Sequence, residues 1–130
     1  MKDKILVWSD AELKQFAIVK YLQEKYDADY FAIYDLNHHL KKSFENQKHV
    51  NFKKIWYYWD YHMAPLTKPD LQYLINFEKK YDIDLGVLVY GERLFYKYNI
   101  FYKFKGHEIL NILERDCKFF EEVLDEIKPD

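Results

Sequence analysis

Apolar residues fall in short runs separated by longer amphipathic stretches, and this alternation predicts strands interleaved with helices. Lys4-Ile5-Leu6-Val7-Trp8, closed by Ser9-Asp10, reads as a buried strand, expected as the first and central strand of a parallel sheet. Ser9-Asp10-Ala11-Glu12 has the form of a capping box, in which the Ser9 hydroxyl accepts from an early helical N–H and Glu12 reaches back. A helix to about Tyr26 is expected to follow, with Leu13, Phe16, Ala17, Tyr21 and Leu22 on one face. Asp29 to Leu36 predicts the second strand, Asn37 to about Lys48 a weaker helix marked by Leu40 and Phe44, and Lys54 to Trp59 the third strand. Thr67 is the expected N-cap of a helix from about Pro69 to Lys80, with Leu71, Leu74 and Ile75 turned inward.

The next segment is ambiguous. Leu85 to Tyr90 (LGVLVY) fits a fourth strand or a buried helical turn, because six residues do not separate the two periods. Gly91 to Phe104 follows neither period and predicts an ordered excursion over the surface. Glu108 to Ile127 carries Ile109, Leu113, Cys117, Phe120, Leu124 and Ile127 at helical spacing. Tyr-Asp-x-Asp occurs twice, at Tyr26 to Asp29 and at Tyr81 to Asp84, each time after lysines, and both copies read as helix-to-strand junctions. Together these elements predict an α/β fold: a Rossmann-like, mainly parallel sheet with helices on both faces, in three layers.

The length of 130 residues bounds the chain to a single domain, 1–130. The exit Lys128-Pro129-Asp130 resembles a helix end that leads into another strand, so the expectation is the N-terminal lobe of a longer two-lobe protein. Lys+Arg total 20 against 22 Asp+Glu, a net charge of −2 that disfavours nucleic acid as a partner. The start is charged too early for a secretory leader, no apolar run is long enough to span a bilayer, and Cys117 stands alone, so a cytoplasmic location is expected. Aromatic residues make up 20% of the chain, either as core filler or as the lining of a cleft for a ring-shaped ligand. With only 3 glycines the chain holds no dinucleotide or P-loop fingerprint. No cofactor is expected. His38 and His39 are adjacent and point apart, which is not metal-ligand spacing.

Ligands of open parallel sheets sit beyond the carboxyl ends of the strands, where the strand order reverses. That rule selects Ser9 and Asp10 after the first strand, Asp35 and Asn37 after the second, and Asp60 and His62 after the third. Were LGVLVY a strand, Glu92 and Arg93 would join them. Asp10 is the candidate catalytic group, a carboxylate able to take a proton from a hydroxyl, against the plainer reading of a residue at a helix N-terminus. His62 titrates near neutrality, though a loop histidine is more often ordinary. Arg93 can clamp a phosphate or carboxylate, or pair with a neighbouring acid. Tyr98 lies in a basic-aromatic stretch with Tyr96, Phe101, Tyr102 and three lysines.

Several segments also resemble a known family: Ile5-Leu6-Val7-Trp8, Phe77-Glu78-Lys79-Lys80-Tyr81, Tyr90-Gly91-Glu92-Arg93-Leu94-Phe95-Tyr96-Lys97-Tyr98-Asn99, Cys117-Lys118-Phe119-Phe120-Glu121 and Lys128-Pro129-Asp130. They are similar to the N-terminal region of capsular-polysaccharide biosynthesis proteins, which resemble two-lobed glycosyltransferases of the GT-B architecture. The resemblance implies a Rossmann-like acceptor-side lobe that is inactive alone, with the nucleotide-sugar donor held on a C-terminal lobe and no dependence on a divalent metal. Its candidate partners are a glycan or lipid-linked sugar acceptor, that C-terminal lobe, membrane-associated synthesis machinery and a second copy of the chain. The competing expectation is a non-catalytic interaction module that docks through the aromatic stretch Phe95 to Phe104.

Overall fold

The computed structural model describes residues 2–62, 64–92, 95 and 101–129. The chain divides into two compact units, Met1–Met63 with Val123–Asp130, and Ala64–Glu122. The first holds β1 (Lys4–Ser9), α1 (Leu13–Lys25), β2 (Asp29–Tyr34), α2 (His38–Glu45), β3 (Lys54–Tyr57) and α3 (Tyr58–His62). The second holds α4 (Leu71–Tyr81), α5 (Leu85–Gly91) and most of α6 (Gly106–Ile127), whose final residues belong to the first unit.

The fold is α/β, with a three-stranded sheet in the order β1-β2-β3 and both pairings parallel. β2 is therefore the central strand among the described residues and β1 lies at an edge, which corrects the expected place of β1. Two successive crossovers of one hand, stepping the same way across a sheet, leave their helices on one face. The core agrees. Ile5, Val7, Tyr30, Ala32, Tyr34, Ile55 and Tyr57 share a face by register. Against them pack Phe16, Val19 and Leu22 of α1 and Phe44 of α2, together with Val50 and Phe52. Phe31 and Trp56 pair on the opposite face, ring centroids 6.4 Å apart. There Lys4 Nζ donates to the Ile127 carbonyl at 2.8 Å, and Lys54 pairs with Glu126 at 2.7 Å.

Several expected boundaries move, each for a local reason. No capping box forms at Ser9. α1 begins at Leu13, the Ser9 hydroxyl donates to the Asp10 carbonyl, and Asp10 Oδ1 accepts the Glu12 N–H. β3 ends at Tyr57 and not at Trp59, because the backbone turns helical at Tyr58. Thr67 caps nothing: its N–H and its Oγ1 both bond the buried Asn111 side chain, and Asp70 caps α4 by accepting from the Tyr73 N–H.

Leu85–Gly91 is a helix. Two carboxylates start it: Glu78 accepts the Leu85 N–H at 2.9 Å and Asp84 accepts the Val87 N–H at 3.2 Å. The second Tyr-Asp-x-Asp copy is accordingly a helix-to-helix junction, with Asp82 left-handed at φ 52°. The second unit's core gathers Leu74, Leu85 and Cys117, with Tyr73, Phe77, Leu110 and Leu113 against them. Burial pushes the Cys117 thiol up to about 12, so it is protonated packing at neutral pH. Most of the expected surface excursion after Gly91 lies outside the described residues.

Candidate functional site

Register aligns Ser9, Tyr34 and Tyr57 across the three strands, so the residues that follow them leave the sheet along one rim. Because the strand order runs without reversal among the described residues, no switch point lies between these strands. The shared rim is what remains of the expected site.

At β1, buried Ser9 gives its carbonyl to the Asp35 N–H at 2.8 Å, which ties the ends of β1 and β2 together. Asp10 sits in a tight turn, its N–H donating to Gln15 Oε1 and its Oδ1 accepting from Glu12, both at 2.8 Å. These bonds fix the orientation of the carboxylate. At β2, Asp35 Oδ1 accepts the indole N–H of Trp59 at 2.7 Å. Asn37 serves as N-cap of α2, accepting the Leu40 N–H at 3.2 Å. At β3, α3 carries Asp60 and His62. Asp60 pairs with Lys41 of α2 at 2.7 Å, and the Lys41 ammonium lies 4.2 Å from the centre of the Tyr57 ring. Burial, with Glu45 and Asp60 adding, pushes the Tyr57 phenol up.

Aromatic rings run between these carboxylates. Trp8 meets Tyr58 at 5.4 Å, and His62 contacts both Tyr58 and Trp59 at 5.3 Å. The Tyr58 hydroxyl and His62 Nδ1 share a hydrogen bond at 3.2 Å. Since Asp35 anchors Trp59, the row Trp8–Tyr58–His62–Trp59 is fastened at that end to β2.

The structure thus brings Ser9, Asp10, Asp35, Asn37, Asp60 and His62 to one side of the sheet. Glu92 does not reach it through a fourth strand, as one reading had it. It is the residue after helix α5, in the second unit. Arg93 and Tyr98 lie outside the described residues. Sequence reasoning missed Trp8, Tyr58, Trp59 and Lys41 as rim groups. The signal lay in Ile55-Trp56-Tyr57-Tyr58-Trp59-Asp60, where aromatics run on after the strand needs them. As strand residues Tyr58 and Trp59 would face opposite ways, whereas helical geometry stacks Tyr58 on His62 four positions on.

Among the described residues, no group of three or more His, Cys, Asp and Glu side chains could hold a metal ion, and no helix is long and apolar enough to cross a membrane. No family model matches the chain, and neither a curated protein nor a solved structure matches it.

Proposed function

We propose that the chain is the acceptor-side lobe of a glycosyltransferase-like protein of capsule or surface polysaccharide biosynthesis. The observation that carries this reading is the rim itself: three parallel strands deliver Asp10, Asp35 and the Asp60-bearing helix to one edge, interleaved with aromatic rings. Carboxylates accept from sugar hydroxyls, and ring faces pack on the C–H faces of pyranoses. Asp10, oriented by its turn, is the base that takes the proton from an acceptor hydroxyl. The donor sugar and the leaving nucleotide belong to a C-terminal lobe, so the chain alone transfers nothing. The same reading includes a Rossmann-like, three-layered fold with helices on both sheet faces, a cytoplasmic location and work beside membrane-associated machinery on a glycan or lipid-linked acceptor.

Titration of the isotopically labelled chain with capsule-type oligosaccharides is expected to shift the backbone amides of Ser9, Asp10, Asp35 and Asp60 together. Unmoved rim amides at millimolar sugar would refute the reading.

An alternative is an interaction module built on the stretch Phe95 to Phe104, supported by Phe101, whose side chain is 92% exposed, and half-exposed Tyr102. It predicts self-association or partner capture that Phe101→Ser abolishes, and light scattering on the parent and variant chains decides it. A parent chain that stays monomeric and captures no partner removes this alternative.

A further inference from the structure

Resting on the glycan reading above, the rim also carries a division of labour among its aromatic side chains. We infer that Trp8, backed by Tyr58, is a stacking platform for a pyranose ring, and that Trp59 and His62 brace it from behind.

Trp8 and Trp56 lie on the same face of the sheet, yet their surroundings differ sharply. Trp56 is 3% exposed and sits against Phe31, with the Lys54 ammonium 4.6 Å from the centre of its ring. Trp8, at the rim end of β1, is 42% exposed. A large ring left open at the carboxyl end of a strand is unusual in a sheet whose other inward positions are filled. Tyr58 meets it at 5.4 Å and 59°, so its position is set from one side while part of its surface faces solvent.

The polar groups nearby suit a polyol. Asp10 follows Trp8 by two residues and is held by two local bonds, and the Asp60 side chain is 42% exposed although Lys41 pairs with it. Carboxylates flanking an open indole accept hydroxyl protons around the edge of a ring whose C–H face lies on the aromatic surface. A flat heteroaromatic base would stack equally well on the indole, but the acidic flank disfavours the phosphates that accompany it.

Trp59 does a different job. Its N–H is committed to Asp35 at 2.7 Å and its ring to His62 at 74°, an edge-on contact that fixes the imidazole against Tyr58. It is therefore a positioning residue.

The test uses the full chain and follows the three indole N–H signals by NMR while neutral and uronate-bearing pyranose oligosaccharides are titrated. The Trp8 indole is expected to shift and the Trp56 indole to stay. Trp8→Ala should weaken binding roughly tenfold, the scale of one lost aromatic stacking contact, and Trp8→Phe should recover most of it. Circular dichroism of both variants checks that they fold, and half-exposed Trp8 makes that the expected result. If sugars shift the amides of Asp10, Asp35 and Asp60 while Trp8→Ala binds as the parent does, the platform is wrong and the glycan reading stands. If no oligosaccharide shifts any rim signal, both fall. Equal shifts from a nucleoside lacking phosphate, with none from the sugars, would overturn the choice of a pyranose.

Discussion

Tyr34→Phe is expected to leave the protein as stable as the parent or up to about 1 kcal/mol more stable, while Tyr34→Ala costs about 3–5 kcal/mol. Tyr34 ends the central strand with no exposed surface. Its ring is met edge-on by Phe44, Phe52 and Tyr57, with centroids 5.4, 5.8 and 5.9 Å away. Truncation to alanine would empty the junction of sheet, α1 and α2, where Phe16 and Phe44 also meet at 5.7 Å. The hydroxyl is another matter. It is buried without a hydrogen-bond partner among the described residues, and burial pushes its titration well above the usual phenol range. An unpaired buried hydroxyl costs roughly 1–3 kcal/mol in lost hydration, which its removal returns. Urea unfolding of the two variants, with equal slopes, measures both differences. A loss well beyond 1 kcal/mol for Tyr34→Phe would mean that the hydroxyl has a partner, such as a buried water, and would remove the argument.

How much of this was legible in advance depends on the length of the pattern. β1, α1, β2 and α6 follow from runs long enough for their period to show, and they fold close to where the sequence puts them. The parallel sense of the sheet follows from helices between strands. Strand order does not: nothing local in Ile5 to Val7 distinguishes a central strand from an edge. The two Tyr-Asp-x-Asp copies make the same point from the other side. At the first, Tyr26 is extended and the Asp29 N–H donates to the Asp3 carbonyl, opening a strand beside β1. At the second, Asp82 turns left-handed and Asp84 caps a helix, because the Glu78 carboxylate waits one turn back to accept the Leu85 N–H. Identical punctuation is resolved by a partner seven residues away.

The candidate site divides along similar lines. Position after a strand is a one-dimensional property, so Ser9, Asp10, Asp35, Asp60 and His62 could be found by reading along the chain. Their partners could not. Lys41 reaches Asp60 from a different helix, and Trp59 reaches Asp35 only because the chain turns helical at Tyr58. Asn37 shows the reverse error, since a polar residue at a strand end was already engaged as the cap of α2.

Glu121→Gln is expected to lower stability by about 1–3 kcal/mol near neutral pH, and to flatten its dependence on acid. One carboxylate gathers three donors: Lys80 Nζ and the Tyr73 hydroxyl at 2.7 Å, and the Tyr81 hydroxyl at 2.9 Å. All belong to the second unit, where they join α4 to α6. Glu121 is held below the usual carboxylate range, chiefly by the Lys80 ammonium, with the Tyr73 and Tyr81 hydroxyls adding and burial opposing. A carboxyl whose folded value is depressed stabilises the fold above its unfolded value, and that contribution is lost as pH falls through the folded value. Stability should therefore decline on acidification below the ordinary carboxylate range. The Gln variant lacks that part of the decline, because an amide keeps no charge to lose. The Lys80 side chain is 56% exposed, so Lys80→Ala alone should cost little, screened as such pairs are by solvent. Tyr73→Phe, which strips the half-buried donor, should cost more than Lys80→Ala. Urea titrations from pH 7 down to 3 check the order, and a Gln variant as acid-sensitive as the parent would show that Glu121 is not the group that titrates.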